Sequence, residues 1–398
     1  MTNTSDILVI GLGAVGSAAL YQAAKLGARV TGIDRFHPPH DLGSSHGETR
    51  ITRQAIGEGG EYVPLVLRSN QIWEELEAAT GRSLLTRNGA LVLQSPHTVG
   101  DHHGSTSFLG DTIAAAQANS IAHDVLSTAE IRRCYPQFRL ENDEAGYFEP
   151  GAGFLRPEAC IEAQLAQAKE LDADIRTGET VRNVRAEGAS VEVTPDRTTY
   201  SVAHAILTAG PWISKLLPNH IAQHLPVYRQ VLTWFALASN PEAYTPQRFP
   251  VFIWITGNRP SDMFYGFPAI DGADHGIKTA TERYDDAIDP DQVDRNVSDD
   301  EIASLHANYI ASRLPDVSAQ CLRAATCLYT VAPGARFVID QADDAGRIHF
   351  ASACSGHGFK HSAAIGEALA RRALHLPDAV NLAPFSASCL PGGGPAAA

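Results

Sequence analysis

Gly11, Gly13 and Gly16 form a G-x-G-x-x-G pattern near the start of the chain, and Asp34 closes the segment that this pattern opens. The spacing suits one task, cradling the pyrophosphate of an ADP-bearing dinucleotide. Gly11 allows the turn, Gly13 lets a phosphate approach the backbone, and Gly16 lets the following helix lie close to the strand. An acidic side chain at Asp34 accepts hydrogen bonds from ribose hydroxyls. FAD and NAD share the ADP half, so the pattern leaves the choice between them open. Beyond Asp34, the polar, glycine-rich run 36–62 gathers His46, Arg50, Arg53 and Glu58 among apolar neighbours, which predicts an active-site loop and not disorder. A second glycine-rich turn, SGHGFK at 355–360, opens a long helical pattern and is again suited to anions. The DHHG run at 101–104 lacks the spacing of a metal site, so its histidines are expected at the surface and no metal is expected. Cys134, Cys160, Cys321, Cys327, Cys354 and Cys389 are scattered without C-x-x-C spacing, which suggests neither a disulfide framework nor zinc.

These residues need elements to position them. Ile7 to Ile10 reads as a strand buried on both faces, Ala14 to Leu26 as a helix stopped by Gly27, and Ala28 to Ile33 as a second strand. Helical periodicity covers Pro64 to Ala79, Ser107 to Asn119, Arg156 to Leu171 and Asp299 to Leu314. Strands are predicted at Leu91 to Leu93, at Ala203 to Leu207, where small residues follow, and at Ile348 to Ala351. Short β segments between Val227 and Thr281 suggest one mixed or antiparallel sheet, distinct from the first, as a floor for a substrate pocket. The length of 398 residues predicts two domains, and a hydrophobic share of 44% is ample for their cores. A net charge of −14 without a basic block argues against nucleic acid or an anionic membrane surface as partner. No apolar run is long enough to span a bilayer and the first strand begins too early for a signal peptide, so a cytoplasmic protein is expected. The tail PGGGPAAA is expected to be disordered.

Several segments, in order along nearly the whole chain, resemble the monomeric sarcosine oxidase and N-methyltryptophan oxidase family of flavin amine oxidases. They are GLGAVG with Asp34, GSSHGETRITR followed by GEG and EYVPLVLRS, VYRQ at 227–230, YGFP at 265–268, Ile277-Lys278, TCLYT at 326–330, FVID at 337–340 and SGHGFK. The resemblance implies an α/β fold with an α+β second domain: a Rossmann-like FAD-binding domain of discontinuous segments (1–85, 146–222 and 323–390) and a mixed-sheet substrate domain (86–145 and 223–322). It implies FAD as cofactor, attached through a thioether from Cys327, with Gly356, His357, Gly358 and Lys360 at the flavin edge. It also implies Lys278 beside flavin N5, assisting O2 reduction, with His46 and Arg50 supplying a positive field next to the ring. Arg53 and Lys360 match a pair that holds the substrate carboxylate, while Tyr265 and Tyr329 match pocket walls.

Three positions depart from the pattern. Glu282 stands where the family has a pocket histidine, Ile253 replaces a methionine, and His361 replaces a phenylalanine. If Glu282 points inward it favours a cationic substrate group and a protonated amine, which cannot give up hydride; pairing with Arg283 or facing solvent is the alternative. The expected function is a monomeric, FAD-dependent oxidase of a secondary amino acid, releasing peroxide and, from an N-methyl group, formaldehyde. A flavin dehydrogenase or glycine-type oxidase of a primary amine is a second reading, and a flavin-binding redox module without turnover a third.

Overall fold

The computed structural model describes residues 5–141, 143–259 and 261–391; the tail expected to be disordered lies, from 392 onward, outside the described residues. The nucleotide pattern sits in a six-stranded sheet. Its order is Val338–Gln341, Ile348–Ser352, His204–Leu207, Ile7–Ile10, Val30–Asp34 and Asp174–Thr177, parallel throughout except for the antiparallel edge strand Val338–Gln341. Ile7–Ile10 is buried at every position, as its unbroken apolar run requires for a central parallel strand covered on both faces.

The helix Ala14–Lys25 follows the glycine turn and has little apolar periodicity because it is enclosed on nearly all sides. Ser362–Ala373 packs against it so closely that a Cβ on Gly366 would lie 2.4 Å from the Ala18 Cβ. On another side Pro157–Glu170 meets it through a buried hydrogen bond of 2.6 Å from Ser17 to the Gln164 side chain. Small residues at this junction let three helices share the back of the parallel sheet.

The β-rich middle of the chain forms a nine-stranded mixed sheet. From one edge it runs Asp124–Leu126, Ala145–Glu149, Ala90–Gln94, Val251–Ile255, Met263–Gly266, Ile277–Thr281 and Val227–Leu237, and the last of these also pairs with Ala287–Ile288 and Val317–Thr330. Val251–Ile255 lies parallel to Ala90–Gln94; the other pairs are antiparallel. Ala145–Glu149 and Val317–Thr330 belong to this sheet along their length, so the divisions expected at 145–146 and 322–323 fall inside or beside strands of one sheet. The helix expected over Asp299 to Leu314 is α-helical only over Asp299–Leu305 and widens into a π-helical turn at His306–Ile310. No helix among the described residues is long and apolar enough to cross a membrane.

Candidate active site

A long cleft runs from the glycine turn, past the loop after Asp34, to the wall of the nine-stranded sheet, and contains Gly13, Asp34, Arg50, Tyr265, Glu282 and Lys360. At its first end Gly11 has φ +88, the left-handed region that glycine adopts without strain. A Cβ on Gly16 would fall 1.7 Å from the Gly11 carbonyl oxygen, so helix and turn could not meet with any larger residue there. Gly13 faces open space, with only Ser45 Oγ at 4.0 Å from a built Cβ. Asp34 accepts hydrogen bonds of 2.7 Å from the N–H groups of Leu12 and Phe36. Burial raises its pKa, against the lowering effect of those two donors.

Loop 43–50 and two strands of the nine-stranded sheet stand at the middle of the cleft: Gly43, Ser44, Ser45 and Arg50 line it, His46 and Cys327 lie behind that lining, and Lys278 lines a small separate pocket with Thr49, Trp234 and Phe267. Arg50 donates to the Thr49 and Ser44 carbonyls, each at 2.8 Å, and its Nη2 lies 3.5 Å from Cys327 Sγ. Cys327 is fully buried, with Sγ 3.6 Å from the Ser44 carbonyl oxygen. Burial raises its thiol pKa, while Arg50 and Lys278 pull it down. Lys278 Nζ donates to the Gly47 and Thr49 carbonyls at 2.7 and 2.9 Å and to Thr49 Oγ1 at 3.2 Å, and sits 4.8 Å from the Phe267 ring centre. Burial, then the charge of Arg50, holds its pKa well below the usual lysine range. His46 departs from expectation as a charge. Burial and the positive groups around it push its pKa to about 3, so the imidazole is neutral and the positive field here comes from Arg50. Tyr265 and Tyr329 stand side by side on the wall with hydroxyls 3.0 Å apart, and Ile253 lines the cleft on a neighbouring strand.

The far end is a network of buried charge. Arg53, 1% exposed, donates to Glu58 and to the Ala55 carbonyl, each at 2.5 Å, with its guanidinium 5.0 Å from the Phe108 ring centre. Burial would raise the Glu58 pKa, but Arg53, Lys360, His357 and His103 together hold it well below the usual carboxylate range. Lys360 donates to the His357 carbonyl at 2.7 Å, and burial pushes its pKa down to about 7. His357 binds the Ala335 carbonyl through Nε2 at 2.9 Å, its own pKa lowered to about 3 by burial. His361 is buried directly behind this turn with neither ring nitrogen partnered.

One expectation about this end is corrected and one open choice is decided. His102 and His103 of the DHHG run are not surface residues: they are 1% and 7% exposed by residue and by side chain respectively. His102 Nε2 meets the Gly257 carbonyl at 3.1 Å, and His103 Nε2 lies 2.5 Å from Glu282 Oε2. Glu282 therefore points inward and pairs with His103, not with Arg283 or solvent. Tyr284 donates to the same carboxylate oxygen. Glu58, His103 and His357 place ligand-type atoms within 4.8 Å of one another, but Arg53 and Lys360 already supply the positive charge that a metal would bring to Glu58. Glu58, His103 and Tyr284 are the members that sequence reading did not assign. The signal for His103 was indirect: a pocket glutamate needs a partner, and a histidine-rich run was available to provide it.

A family model described as FAD dependent oxidoreductase matches residues 6–372 of this chain. The chain is 35% identical over 375 residues to a monomeric sarcosine oxidase of Streptomyces avermitilis, covering 94% of each protein. It is 34% identical over 393 residues to an N-methyl-L-tryptophan oxidase of Yersinia pestis, covering 96% of this chain and 98% of the other. Among solved structures it is similar to NikD, described as an unusual amino acid oxidase essential for nikkomycin biosynthesis, with a TM-score of 0.81 and 22% identity over 97% and 98% of the two chains. It is also similar to L-proline dehydrogenase from P. horikoshii, with a TM-score of 0.75 and 19% identity over 93% of each. At those identities the two structural likenesses speak for the α/β fold alone.

Proposed function

This chain belongs to the FAD-dependent oxidoreductase family, and from that premise we propose that it oxidises a secondary amino acid, N-methyl or cyclic, with O2 as electron acceptor. The observation that carries the reading is the pair of buried cations, Arg53 and Lys360, at the far end of a cleft whose near end is the glycine turn. The residues present fit FAD. Gly13 leaves the turn open to a pyrophosphate, Asp34 lines the cleft where a ribose follows, and Thr330 Oγ1 is a buried cleft atom without a protein partner. Bound there, FAD supplies a two-electron acceptor that takes a hydride equivalent and returns the electrons to O2 as peroxide.

The chain's own residues do the rest. Gly11, Gly13 and Gly16, with the helix that begins at Ala14, hold the pyrophosphate, and Asp34 holds the ribose. Arg50 contributes fixed positive charge beside the ring. Cys327 tethers the flavin through a thioether, its sulfur already adjacent to Arg50. Gly356, His357 and Gly358 shape the turn at the cofactor edge. Arg53 offers a planar fork and Lys360 a point charge to the substrate carboxylate, while Tyr265 and Tyr329 wall the pocket. Orientation over a fixed acceptor is then worth several kcal/mol of the barrier, about 7 or more in well-aligned cases. Lys278 stabilises the negative charge that develops as O2 is reduced. A panel of N-methyl amino acids, proline and pipecolate, assayed for oxygen uptake and peroxide, tests the assignment. Peroxide from secondary amino acids and little from their primary counterparts is expected; oxidation of primary amines alone, or electron transfer only to a quinone, would replace it.

A further inference from the structure

Glu282 follows the strand Ile277–Thr281 and is 3% exposed. Its Oε2 accepts both His103 Nε2 and the Tyr284 hydroxyl, and Oε1 has no protein hydrogen bond among the described residues. Glu282 and His103 both line the cleft. A Cβ on Gly356 would sit 3.0 Å from Glu282 Oε1 and 3.0 Å from the His103 ring, so glycine at that position leaves the free oxygen room. The other ring nitrogen of His103, Nδ1, is buried without a partner, 3.8 Å from Glu58 Oε1. Lys360 lines the same cleft as Glu282 and His103. An amino acid held at Lys360 therefore has a second, opposite pole in the same cleft.

We propose, resting on the secondary amino acid reading above, that Glu282 and His103 form the amine pole of this site: Glu282 Oε1 accepts the substrate N–H, and the pair takes the ammonium proton before hydride leaves. A bare carboxylate would hold the ammonium in its unreactive, protonated form. Joined to an imidazole that donates through Nε2, the carboxylate carries less of its charge towards the substrate. The N–H bond breaks, an O–H bond forms at Glu282 Oε1, and the nitrogen keeps its lone pair. That lone pair then stabilises the carbon from which the hydride, with both C–H electrons, departs to FAD; O2 is the final oxidant. Tyr284 donates to the same oxygen as His103 and helps fix the carboxylate.

The proton balance depends on the charged and titratable groups around His103: Glu282 bonded to it and Tyr284 on the same carboxylate, Glu58 at 3.8 Å from Nδ1, His357 with its ring centre 5.4 Å away, Lys360 from the glycine turn and His102 beside it in the chain. Burial lowers the His103 pKa, but Glu282 and Glu58 more than offset this and raise it. While charged, His103 offsets Glu282 and favours the neutral amine; once neutral, it leaves the carboxylate to hold the ammonium.

The test is anaerobic flavin reduction at saturating secondary amino acid in the holoenzyme, followed from about pH 7.5 to about pH 9.5. The rate should rise with pH to a plateau set by the bound amine's pKa; Glu282→Gln, without the negative charge, should reach it about one pH unit below the native protein, and His103→Gln, with a bare carboxylate, about one unit above. His103→Gln keeps a donor to Glu282 but has no ionisation, so it separates charge compensation from simple support. Profiles that fall equally at every pH would mean a structural role and overturn the proposal. A second readout needs no turnover: trimethylglycine has the same charges but no N–H, and its Kd from flavin difference spectra should weaken about tenfold in Glu282→Gln. An unchanged Kd would remove Glu282 from the amine pole. If no secondary amino acid reduces the native flavin, the substrate reading fails, and the trimethylglycine titration still decides the placement of Glu282.

Discussion

Lys360 offers the sharpest quantitative prediction, because its ammonium is both buried and poised to titrate. Burial pushes its pKa down to about 7, with Glu58 pulling upward and Arg53 pushing downward. If this ammonium holds the substrate carboxylate, affinity for a simple carboxylate is present below that pKa and is lost as pH rises through it. About nine-tenths of the groups are charged one unit below the pKa and about one-tenth one unit above. The Kd should therefore weaken about tenfold between roughly pH 6 and pH 8, a difference of about 1.4 kcal/mol. Acetate, which has no amine to titrate, is the appropriate probe, and the flavin absorbance of the holoenzyme reports its binding. Lys360→Met should bind acetate more weakly at about pH 6 and show no such slope, leaving Arg53 to supply the remaining affinity. The same tenfold slope in Lys360→Met would refute the reasoning, since the titration would then belong to another group.

Two further predictions concern the middle of the cleft. Lys278→Met removes a buried donor that now serves three acceptors; burial disfavours its charge in the resting site, and the anion that develops as O2 is reduced would draw that charge back. Stopped-flow reoxidation by O2 should slow by about a hundredfold or more while anaerobic reduction changes far less; equal losses in both would reject a role at oxygen. For the tether, flavin should stay with the native polypeptide on acid precipitation and be released from Cys327→Ser, whereas Cys354→Ser should retain it, although Cys354 and not Cys327 lines the cleft. Retention in Cys327→Ser would reject the linkage.

The parts of this molecule carried by local spacing were legible in the sequence. Gly11, Gly13, Gly16 and Asp34 specify a turn, a close approach and a strand end within one βαβ unit, so short-range rules locate them. The amphipathic helix Val63–Thr80 and the strand Ala90–Gln94 were placed within a few residues for the same reason. What could not be read was the pairing of distant segments. Val317–Thr330 lies along Val227–Leu237 in the substrate-side sheet, a register set by contacts about ninety residues apart that no local pattern records. Likewise Arg53 and Glu58, from one loop, meet His103, Glu282 and Lys360 from three distant segments. Each alone resembles an ordinary surface charge, and only their burial together shows that they neutralise one another. His46 illustrates the converse error: its position was expected, but its charge depends on a desolvated, positive surrounding that sequence spacing does not reveal.

The central claim, that this chain moves two electrons from a secondary amino acid to O2, is tested most directly by a single turnover. The holoenzyme, mixed without oxygen with an N-methyl amino acid, should lose its oxidised flavin absorbance and release formaldehyde in an amount equal to the flavin. Readmitted O2 should restore the absorbance with one peroxide formed per flavin. Flavin that stays oxidised with every secondary amino acid, or that is reduced but reoxidised only by a quinone, would contradict the account.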